Sequence, residues 1–205
     1  MSFYEDRILP HMINYALGSK DCLRLREKVC ANLSGTVLEV GFGSGLNLPY
    51  LPDTVDKLYA LDPAHLGRKL AADRLAACDF EVEFIDLEAN SYPLEDASVE
   101  SILSTWTLCT IPNLDGALQE MRRILKPEGQ FVFLEHGLAD NPGTRKWQQR
   151  LNGVQRKIGG GCNLNRSIAA TIETAGFNIT QLQNYYMKGP KPYTYMYQGI
   201  AALPA

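Results

Sequence analysis

Short apolar runs alternate with amphipathic stretches through the middle of the chain. TVLEV (residues 36–40) reads as a buried strand ending at the glycine cluster GFGSG, and KLYALD (57–62) as a second strand. The spacing then predicts a helix over 64–78, a third strand in FEVEFID (80–86) and a fourth in VESILSTW (99–106). Leu114, Leu118, Met121 and Leu125 recur at helical intervals, and Lys126-Pro127-Glu128-Gly129 is a helix-ending turn before QFVFLEH (130–136), the fifth strand. Strands alternating with helices predict a parallel sheet covered on both faces, a doubly wound α/β fold. Residues 3–31 predict a helical arm. Residues 139–165 hold Pro142, a Trp/Gln/Arg-rich helical stretch and Gly159-Gly160-Gly161. The remainder predicts a helix over 167–175, a strand after Gly176 and a last strand in YTYMYQGI.

Composition narrows this picture mainly by exclusion. The 205 residues, without repeats or low-complexity linkers, suit a single domain with its own core. A net charge of -3 with no polybasic run offers no attraction to nucleic acid. No apolar run approaches the roughly 20 residues that span a bilayer. The first residues are charged early, unlike a signal peptide, and Cys22, Cys30, Cys78, Cys109 and Cys162 show no CxxC spacing. These features predict reduced thiols in a cytoplasmic protein, with no disulfide framework and no metal-ligand cluster.

The candidate chemistry starts at Glu39-Val40-Gly41-Phe42-Gly43-Ser44-Gly45. Gly41, Gly43 and Gly45 after a strand let the backbone turn sharply and approach a ligand without Cβ clashes. A dinucleotide fingerprint would carry its third glycine at position 46, which is Leu46 here. Glu39 is poorly placed for a pyrophosphate and well placed for an ammonium group. Asp62 ends the second strand, 21 residues after Gly41, where an acid accepts hydrogen bonds from a ribose diol. Taken singly, Glu39 also suits a solvated strand end and Asp62 a helix N-cap. Together they favour a cationic nucleoside with an amino-acid tail, such as S-adenosylmethionine.

VLEVGFGSGLN, LDPA and MRRILKPEGQFVFLEHG, in this order, resemble the class I S-adenosylmethionine-dependent methyltransferases over residues 35–137. STWTLCTIPN, LEHG and GGGCNLNR resemble more narrowly a branch containing small bacterial methyltransferases and mammalian microsomal thiol methyltransferases. The mammalian members begin with a hydrophobic anchor, so their membrane location is not carried over to this chain. The resemblance implies a seven-stranded, mostly parallel Rossmann-like sheet with a helical arm over 1–34 and a lid over 139–166. It implies that the three glycines pass under the cofactor, with Glu39 at its amino end or holding the loop. Asp62 would then bind the ribose, and Pro63 would pack on the adenine. Leu87, Glu88 and Asn90 would lie at the adenine edge, and Thr105 and Trp106 under the methionine portion. Asn47 would open the first helix and reach the methionine carboxylate.

Methyl transfer from a sulfonium is an in-line displacement that depends on aligning the nucleophile. A thiol needs little help to ionise, whereas an amine, hydroxyl or carbon acceptor needs a placed base. His136, at the end of the fifth strand, is the candidate base or thiolate stabiliser, with Cys109 nearby. His136 equally suits a strand-capping role, and Cys109 and Cys162 suit small apolar core residues. Tyr4, Tyr15 and Tyr193 are candidate aromatic walls, and Asn163 and Arg166 candidate substrate or lid-anchoring groups. The expected function is methylation of a small molecule, a thiol first. N-, O- or C-methylation of a lipid headgroup, quinone precursor or metabolite stands as one alternative, and a non-catalytic cofactor-binding module as another.

Overall fold

The computed structural model describes residues 4, 7–63, 65–86 and 91–204. Two helices come first, α1 (Leu9–Leu17) and α2 (Lys20–Cys30), followed by β1 (Gly35–Val40), a 3-10 turn (Leu48–Tyr50) and β2 (Val55–Leu61). Next come α3 (His65–Leu70), α4 (Ala72–Ala76), β3 (Glu81–Ile85), β4 (Val99–Thr105), α5 (Leu114–Ile124) and β5 (Leu125–His136). The chain closes with α6 (Pro142–Ile158), α7 (Ile168–Thr174), β6 (Asn178–Tyr186), α8 (Lys191–Thr194) and β7 (Tyr195–Ala202).

The strands form one seven-stranded sheet in the order β3-β2-β1-β4-β5-β7-β6. All pairings are parallel except those of β7, which runs antiparallel to both β5 and β6. Order reverses at β1 and β4, where the ends of adjacent strands open a crevice for ligands in sheets of this kind. Alternation along the central strands builds two cores. Leu38, Ile102, Phe131 and Phe133 face α5 and α7, while Val37, Leu103, Val132 and Leu134 face α2 and the 3-10 turn. Both faces of a parallel sheet are thereby covered, which is why its strands are apolar almost throughout.

Helix ends follow their capping residues. Asn113 accepts from Gly116 N–H at 3.2 Å at the start of α5, and Asn141 accepts from Thr144 N–H at 3.0 Å with Pro142 in the first turn of α6. Four boundaries differ from the sequence reading. The single helix expected over 64–78 divides into α3 and α4 about Ala71, and the helix expected after the glycine cluster is only the 3-10 turn. Lys126–Gly129 does not separate helix from strand; it loops out within β5, between the pairings Val99↔Leu125 and Ser101↔Gln130. Trp106 lies past β4, and its backbone leaves the extended conformation. Among the described residues no helix is long and apolar enough to cross a membrane.

Leu118 is fully buried between α5 and the sheet. Leu118→Ala should lower the unfolding free energy by about 2–5 kcal/mol, measured by urea denaturation. A loss under about 1 kcal/mol would contradict this packing.

Candidate active site

The end of β1 carries a carboxylate where a parallel sheet is driest. Glu39 is 1% exposed, and its Oε1 accepts from Asn47 Nδ2 at 2.7 Å. Asn47 Oδ1 accepts from Arg26 Nη1 at 2.7 Å, and Thr105 Oγ1 accepts from Arg26 and Asn47 at 2.8 and 3.0 Å. Arg26 is itself 4% exposed and stacks over the Trp106 ring, 4.9 Å from its centroid. Glu39 Oε2 and Arg26 Nε are buried without protein partners. Burial pushes the Glu39 carboxyl up to about 8, against the opposing pull of the Asn47 bond and the Arg26 charge.

Above this cluster the glycine loop turns through three left-handed residues, Gly41, Gly43 and Gly45. A Cβ on Gly41 would stand 2.0 Å from Thr107 Oγ1, so only glycine lets the loop close on the segment after β4. A Cβ on Gly43 would meet nothing nearer than the Gly41 carbonyl at 4.0 Å. That side of the loop is open. Asp62, just past β2, accepts from Gly43 N–H at 2.6 Å and sets its carboxylate on the loop's rim. Ser44 Oγ donates to Asn14 Oδ1 at 2.6 Å, tying the loop to α1.

The far side of the crevice is built by strain and a second buried acid. Trp106 has φ +51, a costly conformation for a bulky residue, held by its N–H to Leu134 O at 2.8 Å. The turn aims Thr107 N–H at Glu135 Oε1 (3.0 Å), which also accepts from Ser104 Oγ at 2.8 Å. Burial raises the Glu135 carboxyl to about 7, opposed by these donors.

One residue on, His136 Nε2 lies 2.9 Å from Cys162 Sγ, while His136 Nδ1 is buried without a protein partner. The Cys109, His136 and Cys162 ligand atoms all lie within 4.8 Å of one another. Two thiols and an imidazole from three distant segments thus meet in one buried corner, a juxtaposition that linear spacing does not show. The bond from Cys109 and the neighbouring imidazole lower the Cys162 thiol against burial, while the bond to Cys162 and burial push Cys109 up. Burial opposes charge on His136, but Cys162 and Glu135 hold its pKa above the usual value. The segment after α6 is fastened over this corner. Asn163 donates through N and Nδ2 to the Cys109 carbonyl, both at 2.9 Å. Arg166 Nη1 donates to the carbonyls of Leu108 and Ile111.

Several candidates stand differently from their expected roles. Both ends of the Asn47 amide serve protein partners, so Asn47 positions Glu39 and Arg26 instead of reaching for a carboxylate. Thr105 is likewise committed to that network. Tyr15 is 88% exposed and cannot wall a buried pocket; it borders a cavity of about 710 Å³ between α1, the start of α2 and residues 46–50. Tyr4 Oη donates to Ile158 O at 2.7 Å and joins the arm to α6, and Tyr193 is exposed. Asn163 and Arg166 bond to backbone carbonyls, those of Cys109 and Gly161 for Asn163 and that of Ile111 for Arg166. Pro63 is exposed beside Asp62. Leu87, Glu88 and Asn90 lie outside the described residues, as does Phe3 of the arm. Arg26 was not anticipated, although one cation on a helix face otherwise formed by Cys22, Val29 and Cys30 is a readable signal.

A family model described as a methyltransferase domain matches residues 38–133. Human thiol S-methyltransferase TMT1A is 31% identical over 153 residues, covering 73% of this chain and 62% of that protein. Thiol S-methyltransferase TMT1B of Rattus norvegicus is 31% identical over 153 residues, 72% of this chain and 62% of that protein. This chain therefore spans somewhat under two thirds of the length of these curated relatives. A SAM-dependent methyltransferase from Aquifex aeolicus superposes with a TM-score of 0.65 at 21% identity, over 94% of this chain and 97% of that one, a likeness of fold. The chain belongs to the class I S-adenosylmethionine-dependent methyltransferases.

S-adenosylmethionine is the methyl donor of this family, and the residues of this methyltransferase fit it. The open side of Gly43 leaves room for a ligand over the loop. Two carboxylates, Glu39 and Asp62, suit a cationic nucleoside better than a phosphate. The unpartnered Nε of Arg26 offers a donor to an amino-acid carboxylate.

The raised Glu39 pKa gives stability a definite sign of pH dependence. The folded value, about 8, lies above the unfolded value near 4.3. The native state therefore gains from protonation, fully below about pH 4.3, and loses that stability as pH rises through 8. One proton gives a slope of at most about 1.4 kcal/mol per pH unit. Glu39→Gln should flatten the decline in urea unfolding of the unliganded protein between pH 5 and 8. Equal slopes in both proteins would refute this account.

Proposed function

We propose that this methyltransferase transfers the methyl group of S-adenosylmethionine to the sulfur of a small thiol. The observation that carries the acceptor is His136 Nδ1, a buried polar atom lacking a partner in the residue that ends β5. With Nε2 against Cys162, Nδ1–H is left to donate to an anionic sulfur. A thiolate needs such a donor and little more, because free thiols ionise near pH 8.5. The names of the curated relatives, thiol S-methyltransferases, support the same acceptor.

Bound S-adenosylmethionine supplies an electrophilic methyl group on a positively charged sulfur. In this reading Gly41, Gly43 and Gly45 run beneath the cofactor, and Asp62 receives the ribose hydroxyls. Arg26, rather than Asn47, pairs with the methionine carboxylate, and Glu39 is joined to Arg26 through Asn47 beneath it. Trp106 and the lid keep water from the transferring methyl group, and a site poor in water favours loss of the sulfonium charge. Five free thiols suit a reducing compartment, and we place the protein in the cytoplasm.

Hydrogen sulfide and alkyl thiols should yield S-methylated products with stoichiometric S-adenosylhomocysteine, both read by mass spectrometry. A silent thiol panel beside reactive amines or phenols would overturn the acceptor. His136→Gln should lower turnover by about a hundredfold or more with cofactor affinity unchanged; unaltered turnover would remove His136 from the reaction.

Asp62→Ala should weaken S-adenosylmethionine binding by about 10- to 100-fold in calorimetry, the scale of hydrogen bonds to a charged group. Undiminished affinity in a folded variant would remove Asp62 from the ribose.

A further inference from the structure

We propose that Cys109, His136 and Cys162 form a three-ligand site for a thiophilic divalent cation, zinc foremost, whose fourth position takes the acceptor sulfur. The fourth position rests on the thiol acceptor proposed above; the three-ligand site does not.

The donor set is the first argument. Two thiols and an imidazole select soft or borderline cations over magnesium or calcium. Three protein ligands with one position open is the pattern of catalytic zinc, whereas structural zinc is closed by four. Geometry is the second. Zinc–sulfur bonds of about 2.3 Å and zinc–nitrogen bonds of about 2.0 Å space tetrahedral ligand atoms by roughly 3.5–3.8 Å. The three atoms here are separated by 2.9 Å at Cys162–His136 and by no more than 4.8 Å elsewhere. Movements of an ångström or less would centre an ion among them.

The surroundings are the third argument. Each ligand comes from a different segment, the loop after β4, the end of β5 and the glycine lid, and each segment is fixed by backbone bonds. Asn163 N–H holds the lid to the Cys109 carbonyl at 2.9 Å. Gly137 N–H fastens the end of β5 to Tyr195 O at 3.1 Å, and Cys162 N–H bonds Gly159 O at 3.2 Å. The chain thus brings two sulfurs together in a buried corner and leaves both reduced. Without a cation they cannot both ionise, since adjacent like charges in a dry site repel. A divalent ion removes that repulsion by making both thiolates ligands.

In the reaction, the acceptor R–SH releases its proton to solvent as its sulfur takes the fourth position, and with the cation bound this replaces donation from His136 Nδ1–H as the means of holding the thiolate. That sulfur then bonds to the methyl carbon while the carbon–sulfonium bond breaks, its electron pair staying on the cofactor sulfur. The neutral thioether is a poorer ligand than a thiolate and leaves the position free.

The test is cobalt(II) titration of the reduced, purified protein, followed by optical absorption. One equivalent should produce sulfur-to-cobalt charge transfer in the near ultraviolet and intense tetrahedral bands in the visible. Zinc should displace them, and native mass spectrometry should then show a single zinc. Cys109→Ser and Cys162→Ser, folded by circular dichroism, should each lose most of the charge-transfer intensity. A methylatable thiol should shift the visible bands of the wild-type protein. Absence of the bands in the wild type, or their survival in both variants, overturns the site, whatever the thiol panel shows. Bands indifferent to a thiol that the enzyme methylates overturn the fourth ligand. If bands form but no thiol is methylated, the acceptor reading fails while the three-ligand site stands.

Discussion

A carboxylate held at the dry end of a central strand must be compensated, and much of the crevice is arranged around that requirement. Isolated charges in a sheet interior are unstable, so Glu39 is reached by Asn47 and, through it, by Arg26. Arg26 comes from α2, Asn47 from the loop before the 3-10 turn, and their shared acceptor Thr105 from β4. One polar cluster thereby fixes the helical arm against the sheet and sets the floor beneath the glycine loop. It also leaves charge in reserve, a carboxylate oxygen and a guanidinium nitrogen without protein partners. The same side chains therefore couple the stability of the folded chain to the binding of a zwitterionic ligand.

At the opposite wall the compensation is different in kind. Glu135 is buried under neutral donors, Ser104 and the Thr107 amide, rather than beside a guanidinium. The left-handed Trp106 makes this possible by turning the backbone so that Thr107 N–H faces the acid. One wall carries two acids and a buried guanidinium, and the other presents sulfur and imidazole. Such a division suits a reaction between a sulfonium and a soft nucleophile.

The sheet, the glycine loop and the positions of Asp62 and His136 were legible because each depends on neighbouring residues. Apolar runs such as TVLEV can only be strands buried on both faces, and glycines at 41, 43 and 45 follow from local backbone geometry. Asn47 precedes a 3-10 turn where its local sequence suggests a helix start, and its partners on β1, β4 and α2 leave no local signal. Cys162 was read as a small apolar residue, since nothing near it in sequence indicates Cys109 or His136. The break at Ala71 had no glycine or proline to announce it; helical spacing continues straight through it. Non-local pairing defeats local inference most where polar groups meet from several segments.

The place of β7 has a consequence for how such a chain emerges during synthesis. It is the last strand in chain order, yet it lies between β5 and β6 rather than at an edge. Until it inserts, the ladder edge of β5 carries unpaired backbone groups, a template for intermolecular association. Residues 130–136 of β5 pair with residues 196–202, so the strand bearing Glu135 and His136 gains its second neighbour only after all the intervening chain has been made. The β3-β2-β1-β4 ladder needs no such wait, since its strands come earlier in the chain. Exposure of the β5 edge during that interval is the point at which association competes with folding.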